Sequence, residues 1–203
     1  MRDALIVSTA RTPLTKSYRG TFNNTTAPTM AGWAIEEAVK RSGVDPEKVD
    51  DVIMGAALQQ GTQHCNVARN SALAAGLPVT VSGMTLDRQC SSGMMAIATA
   101  AKQIISDGMN VAVGGGLDSI SLVQTEKMNL DRWVDKKLIE KHKHIYMPML
   151  KTAEVVANRY NISRESQDEY SLQSQLRTAK AQQEGKFDDE IVSVTTTMGV
   201  MDK

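Results

Sequence analysis

The sequence is short of several things, and each shortage excludes a class of protein. There are two cysteines, Cys65 and Cys90, in 203 residues. That is too few for a disulfide framework and fits a reducing interior. Aromatic residues make up only 4% of the chain, against 14 glycines and 12 methionines. A core of small and flexible side chains lets helices pack closely. Charge of either sign is not in excess: Lys+Arg and Asp+Glu are 23 each. A formal net charge of zero gives no electrostatic case for nucleic acid or an anionic membrane as the main partner. No apolar run is long enough to span a bilayer. The chain starts Met1-Arg-Asp-Ala-Leu-Ile-Val7 and runs straight into a strand pattern, with neither a secretory h-region nor an Arg/Ser-rich transit pattern. A cytoplasmic location is the expectation.

What is present is an alternation of elements. Residues 5–9 are a β-rich run, expected to be a buried first strand, followed by a polar loop over 11–29. Residues 30–42 place Met30, Trp33, Ala34, Ala38 and Val39 on one helical face, and Gly43 closes the helix. Asp45-Pro46-Glu47 has the cap, the first-turn proline and the first-turn acid of a short helical turn. Strands are expected at 52–58, 83–86 and 110–113, with helices at 66–75 and 91–106. The order β-α-β-α-β-α-β predicts an α/β layer with a largely parallel sheet. Beyond Asp118 the pattern turns mixed and polar. Helices are expected at 152–160, with Thr152 as cap, and from Ser163 to Gly185, with a last β-like run at 191–196. The natural boundary therefore falls near 118, dividing a sheet domain (1–118) from a helical region (119–203).

The chemistry concentrates at Leu86-Asp-Arg-Gln-Cys90-Ser-Ser-Gly93. A strand ends, a cysteine follows, and a helix of small residues begins. The unpaired N–H groups and positive end of that helix favour a thiolate. A nucleophile held on a rigid strand-to-helix turn is the device of the serine elbow. Taken alone, Cys90 fits a small buried hydrophobe about equally well.

The segment Asp87-Arg-Gln-Cys-Ser-Ser-Gly93 resembles the nucleophile signature of the thiolase family, Asn-Arg-x-Cys-x-Ser-Gly. The likeness extends along the chain in order. It takes in Val7-Ser-Thr-Ala-Arg-Thr-Pro13, Asn66-Val-Ala-Arg-Asn70 with Ala75-Gly-Leu-Pro78, and Val113-Gly-Gly-Gly-Leu-Asp-Ser-Ile-Ser121. It ends with Met149-Leu-Lys-Thr-Ala-Glu154 and Gly185-Lys-Phe-Asp-Asp-Glu-Ile-Val192. The resemblance implies the N-terminal half of the thiolase fold, a layered α/β domain with a mixed, mostly parallel sheet, plus a partial helical loop domain covering CoA and substrate. It implies an acyltransferase of fatty-acid β-oxidation. Cys90 would attack a 3-ketoacyl-CoA, hold the shortened acyl group as a thioester and yield it to a second CoA. Backbone N–H groups near the helix start would hold the thioester oxygen, and Met149 would lie beside the pantetheine tunnel or else be an ordinary core methionine. Coenzyme A is then a substrate, no cofactor or metal is expected, and the complete protein would be a dimer or tetramer of identical chains. The alternatives are a short-chain acetoacetyl-CoA thiolase and a truncated, non-enzymatic half. A decarboxylating ketoacyl synthase shares the fold, but the segments at 149–154 and 185–192 oppose it.

Several positions depart from the family pattern. Asp87 replaces a usual Asn, Asp118 a usual Glu and Leu150 a frequent Gly. Pro148 stands where short-chain biosynthetic members often have His. Family members also continue past the length seen here. The resemblance places the Gly-His-Pro base, the Cys-x-Gly-Gly-Gly acid/base and the Asn-Glu-Ala-Phe oxyanion motif in that continuation, so the C-terminal domain is expected to be absent and the chain alone insufficient for turnover. Among other candidates, His64 and Cys65 are adjacent but lack two further zinc ligands, and a buried Cys65 beside an exposed His64 is the expectation. The Lys/His run at 136–144 either meets CoA phosphates or is a solvated face, the commoner case. Gly114-Gly-Gly116 lacks the spacing of a nucleotide loop.

Overall fold

Asp51-Val-Ile-Met-Gly55 is apolar at its centre and short, and a run of that kind belongs in the middle of a sheet covered on both faces. In the computed structural model, which describes residues 2–200, it is β1 (Asp51–Gly55), buried at every position. It pairs in parallel with β2 (Ser82–Leu86) and β3 (Ala112–Gly116), giving the order β2-β1-β3. Side chains alternate across the sheet. Val52 and Met54 join the cluster of Ala31, Ile35, Val39, Ala68 and Ala72, while Ile53 packs with Ala96 and Ala100. One face is thus covered by α1 (Ala27–Ser42) and α2 (Val67–Ala74), the other by α3 (Ser92–Ser106).

Local sequence explains the helix ends. Gly43 closes α1 at φ 68° and returns its N–H to the Lys40 carbonyl. Asp45 caps the 3-10 turn Pro46–Lys48 by accepting from the Glu47 N–H. Asn66 caps α2 by accepting from the Arg69 N–H, and its own φ of 57° is one that Asn tolerates better than most residues.

The chain divides into two compact units, residues 2–128 with 190–200 and residues 129–189. The sequence pattern places the break near 118, but the sheet unit keeps the next ten residues. In it, α4 (Ile120–Val123) buries Val123, and Ser121 and Gln124 accept hydrogen bonds from the Tyr18 N–H and hydroxyl. The last described residues rejoin the same unit. The Arg11 N–H donates to the Glu190 carbonyl, the Val192 N–H to the Arg11 carbonyl, and Asn23 exchanges two hydrogen bonds with the backbone of Gly199.

Residues 5–9 do not form the expected buried strand. Leu5, Ile6 and Val7 are 77%, 78% and 69% exposed. β-propensity records how a side chain fits a paired, half-buried surface, and this segment is given no ladder to join. A single parallel bridge, Arg11 to Ile191, is all that forms near it, and residues 191–196 likewise form no strand. A second correction concerns Gly114, Gly115 and Gly116, which lie inside β3 rather than after it. A Cβ on Gly114 would stand 2.8 Å from Ile97 Cα, so α3 lies directly on the strand.

In the second unit, α5 (Lys136–Lys141) is capped by Asp135, whose carboxylate accepts from the Lys137 and Leu138 N–H groups. The helix was not foreseen; the charged run at 136–144 masks it. The next helix, α6 (Met149–Tyr160), starts three residues before the expected cap. Thr152 is inside it, and its hydroxyl donates back to the Pro148 carbonyl. Finally α7 (Arg164–Gln183) is capped by Ser163 as expected, with Leu172 and Leu176 about 60% exposed.

Candidate active site

The turn between β2 and α3 is built by short hydrogen bonds. Asp87 Oδ1 accepts from the Gln89 N–H at 2.7 Å, an Asx turn that holds Gln89 at φ 49°. Glutamine is unfavourable in that region, so neighbours must hold it there. Ser92 is the main brace. Its hydroxyl donates to the Gln89 carbonyl at 2.6 Å and accepts from the Arg88 N–H at 2.8 Å, and the residue is only 3% exposed. Ser91 adds a bond to the Arg88 carbonyl.

Cys90 rides on this braced turn, one residue before the N-cap Ser91, and its thiol is exposed. Ser91 provides no side-chain cap. The Ser92 N–H donates to the Gln89 carbonyl at 3.0 Å, and a helix start leaves further first-turn donors for a ligand.

The helix start sits very low on the sheet. A Cβ on Gly55 would be 2.2 Å from Ser92 C, and one on Gly116 would be 2.7 Å from Gly93 Cα. Only glycine at the ends of β1 and β3 allows this approach. An open cavity of about 1160 Å³ faces the site, with Cys90, Gly93, Met94, Ile97, Leu117 and Asp118 among its walls.

Asp118 was noted in the sequence only as a departure from the family pattern, and the structure gives it neighbours. Its Oδ1 accepts from the Ala57 N–H at 3.2 Å and from Gln63 Nε2 at 3.0 Å. Asp118 is exposed, but partial desolvation of its carboxyl pushes it above the ordinary Asp value and the charge of Asp87 pushes the same way, against the two hydrogen bonds. Gln63, 1% exposed, also donates to the Leu58 carbonyl and accepts from the Ser119 N–H. Nothing in the sequence marks Gln63: it is one glutamine of several in a loop.

Met149 opens α6 in the second unit and is 76% exposed there. Cys65 also departs from expectation. It is exposed, not buried, and lies 2.6 Å from His64 Nδ1. Its φ of 52°, next to that of Asn66, turns it out of the helix that follows. No group of three His, Cys, Asp or Glu side chains able to hold a metal occurs among the described residues. No helix among them is long and apolar enough to cross a membrane. In the second unit Lys143, His144 and Lys151 line a small surface pocket of about 280 Å³ with Tyr146.

Comparison with known proteins agrees with this geometry. Residues 4–202 match the family model for the thiolase N-terminal domain. The 3-ketoacyl-CoA thiolase of Bacillus subtilis is 40% identical over 198 residues, which is 98% of this chain and 50% of that protein. The acetyl-CoA acetyltransferase of Cupriavidus necator is 38% identical over 204 residues, 96% of this chain and 51% of that protein. The crystal structure of the Bacillus anthracis acetyl-CoA acetyltransferase superposes with a TM-score of 0.83 at 37% identity, covering 100% of this chain and 52% of that one. The chain thus spans about half the length of these relatives.

Proposed function

The chain belongs to the thiolase family through its N-terminal domain, and from that premise we propose that the whole protein cleaves 3-ketoacyl-CoA with CoA, Cys90 carrying the acyl group. The observation that carries this reading is the exposed thiol on a braced, left-handed turn at the start of a 15-residue helix, facing a large cavity. Cys90 Sγ attacks the keto carbon, the bond to the α-carbon breaks, and acetyl-CoA leaves after that carbon gains a proton. The thiol of a second CoA then displaces the acyl group from sulfur. Each half is nucleophilic covalent catalysis. First-turn N–H groups of α3, apart from that of Ser92, which is held by the Gln89 carbonyl, suit a developing oxyanion. The groups that move the protons would come from the part of the family's length that this chain does not span.

Coenzyme A is a substrate in this scheme, and the chemistry calls for no metal or prosthetic group. Met149, exposed at the head of α6, is assigned to the pantetheine arm, and the complete protein is assigned to a dimer or tetramer. Two free thiols suit a reducing compartment such as the cytoplasm. The 1–118 and 119–203 division is kept as a functional one, nucleophile domain and substrate cover. A second reading, a short-chain acetoacetyl-CoA thiolase, draws support from the acetyl-CoA acetyltransferases among the relatives. Thiolysis rates on acetoacetyl-CoA against long-chain substrates separate the two.

The test is acetyl transfer. Protein incubated with acetyl-CoA and digested with trypsin should carry an acetyl group on the peptide 89–102, which holds Cys90. Addition of CoA should remove it, and Cys90→Ala should never acquire it. A full-length enzyme that turns over substrate without ever acetylating Cys90 would sink the assignment.

A further inference from the structure

A serine at a helix start ordinarily serves the helix, its side chain accepting from the second or third helical N–H. The helix α3 opens on two serines, and neither does this. Ser91, at the N-cap, makes no capping bond, and its hydroxyl donates backwards to the Arg88 carbonyl at 3.1 Å. Ser92, the first helical residue, also turns back. Its Oγ accepts from the Arg88 N–H at 2.8 Å and donates to the Gln89 carbonyl at 2.6 Å. Those two groups belong to the first and the last of the three peptide units that lead from Asp87 into Cys90. The middle unit is held by Asp87, whose carboxylate accepts from the Gln89 N–H. The last unit carries the backbone nitrogen of Cys90. Because a peptide is planar, a bond that fixes its carbonyl also fixes the direction in which Cys90 leaves the turn.

We propose that Ser92 is a positioning residue for Cys90: its buried hydroxyl clamps the peptide that carries Cys90 and so aims the thiol at an acyl-CoA carbonyl. The proposal rests on the reading of Cys90 as the nucleophile and deepens it. Ser92 is only 3% exposed, so water cannot replace its two bonds. The residue it brackets, Gln89, stands at φ 49°, a region that a glutamine leaves unless its neighbours hold it. Without the hydroxyl, the Arg88 N–H loses its acceptor, and the Gln89 carbonyl keeps only the Ser92 N–H at 3.0 Å. The turn then relaxes and Cys90 moves with it. The helix stays where it is, because Gly55 and Gly116 still let it rest on the sheet. Attack on a bound thioester depends on alignment, whereas a small alkylating reagent needs only access to an exposed thiol. The role requires a hydroxyl, which threonine supplies and alanine does not.

The experiment compares two reactions of Cys90 in the full-length protein, acetyl transfer from acetyl-CoA and alkylation by iodoacetamide, both read on the tryptic peptide 89–102. Ser92→Ala should lose acetyl transfer by roughly 100-fold and be alkylated at close to the wild-type rate. Ser92→Thr should restore the transfer. Ser91→Ala, which gives up only an exposed bond, should transfer nearly as well as wild type. Ala72→Gly, buried in α2 away from the turn, is the stability control: it should unfold in less urea and leave both reactions unchanged. A merely structural role would make Ser92→Ala behave like Ala72→Gly. Wild-type acetyl transfer in Ser92→Ala overturns the proposal, and so does a loss that alkylation follows in proportion. If Ser92→Ala does not fold, Ser92→Cys takes its place, since a thiol fills the site but hydrogen-bonds weakly. Undiminished acetylation of Cys90 in that variant overturns the proposal equally. A wild type that turns over substrate without acetylating Cys90 defeats the nucleophile reading, whereas acetylation of Cys90 that ignores Ser92 defeats only the role given to Ser92.

Discussion

Gly55→Ala is the sharpest perturbation of the site, because it adds one methyl group and removes no polar atom. The new Cβ would lie 2.2 Å from Ser92 C, 2.3 Å from Ser92 O and 2.6 Å from Gly93 N, where ordinary contact begins at 3.4 Å. The obstructing atoms are backbone, so no side chain can swing aside. The start of α3 must retreat from β1 by about 1.2 Å to restore contact at Ser92 C. Overpacking of this kind costs about 1–3 kcal/mol. Ser92 moves with the helix, and its hydroxyl is what braces the Gln89 carbonyl and the Arg88 N–H. Cys90 is displaced as a result. A misplacement of about 1 Å at a reacting group can cost on the order of 100-fold. Two assays divide the effect. Acetyl transfer from acetyl-CoA needs the aligned thiol and should fall by roughly that factor. Alkylation by iodoacetamide needs only access and should change little. Gly43→Ala is the control: its Cβ would meet nothing within 4 Å, and its φ of 68° charges only backbone strain, about 1 kcal/mol. It should lower stability in urea without touching acetyl transfer. A Gly55→Ala protein that is as stable as wild type and transfers acetyl at the same rate would refute the claim that the helix start rests on β1.

Two further outcomes follow from the same geometry. Asn66→Ala loses the cap to Arg69, the bond to the Gly83 carbonyl and the acceptor for the Thr85 hydroxyl; with the left-handed backbone added, urea unfolding should show a loss of about 2–3 kcal/mol, and Asn66→Gly should recover about 1 kcal/mol of it. Asp118 gives a pH dependence: its folded carboxyl holds the proton above the ordinary Asp value, so its contribution is full below that value and is lost as pH rises through the raised one. Urea unfolding of Asp118→Asn should therefore gain on wild type between pH 4 and pH 7, and an equal difference at both would count against the partial desolvation of that carboxyl.

Much of the sheet unit is legible in the sequence, and for identifiable reasons. The ends of α1, α2 and α7 are announced by Gly43, Asn66 and Ser163, whose roles are local and need no tertiary knowledge. The strand β1 is announced by its apolar run. What was not legible depends on partners distant in sequence. Residues 5–9 have the composition of a strand, yet strand formation depends on a neighbour. The glycines at 114–116 look like a turn because glycine is common in turns; only the position of α3 makes them strand residues. Thr152 has the chemistry of a cap, but the helix begins earlier, at Met149.

The site divides along the same line. Its place between a strand and a small-residue helix made Cys90 a candidate, and the resemblance of the motif around it to the thiolase signature singled it out, since all of these are neighbours in the chain. What holds it could not be found that way. Gln63 is 55 residues from Asp118, and Gly55 is 37 residues from Ser92, yet these contacts decide where the thiol stands. The local motif therefore points to the proposed nucleophile, and the parallel sheet supplies its frame, because a parallel strand order brings distant strand ends to one edge. Asp87 and Asp118 were conservative replacements when considered one at a time. Beyond the ends of β2 and β3, on either side of β1, each carboxylate holds a different loop: Asp87 the turn at Gln89, Asp118 the segment after β1 through Ala57 and Gln63.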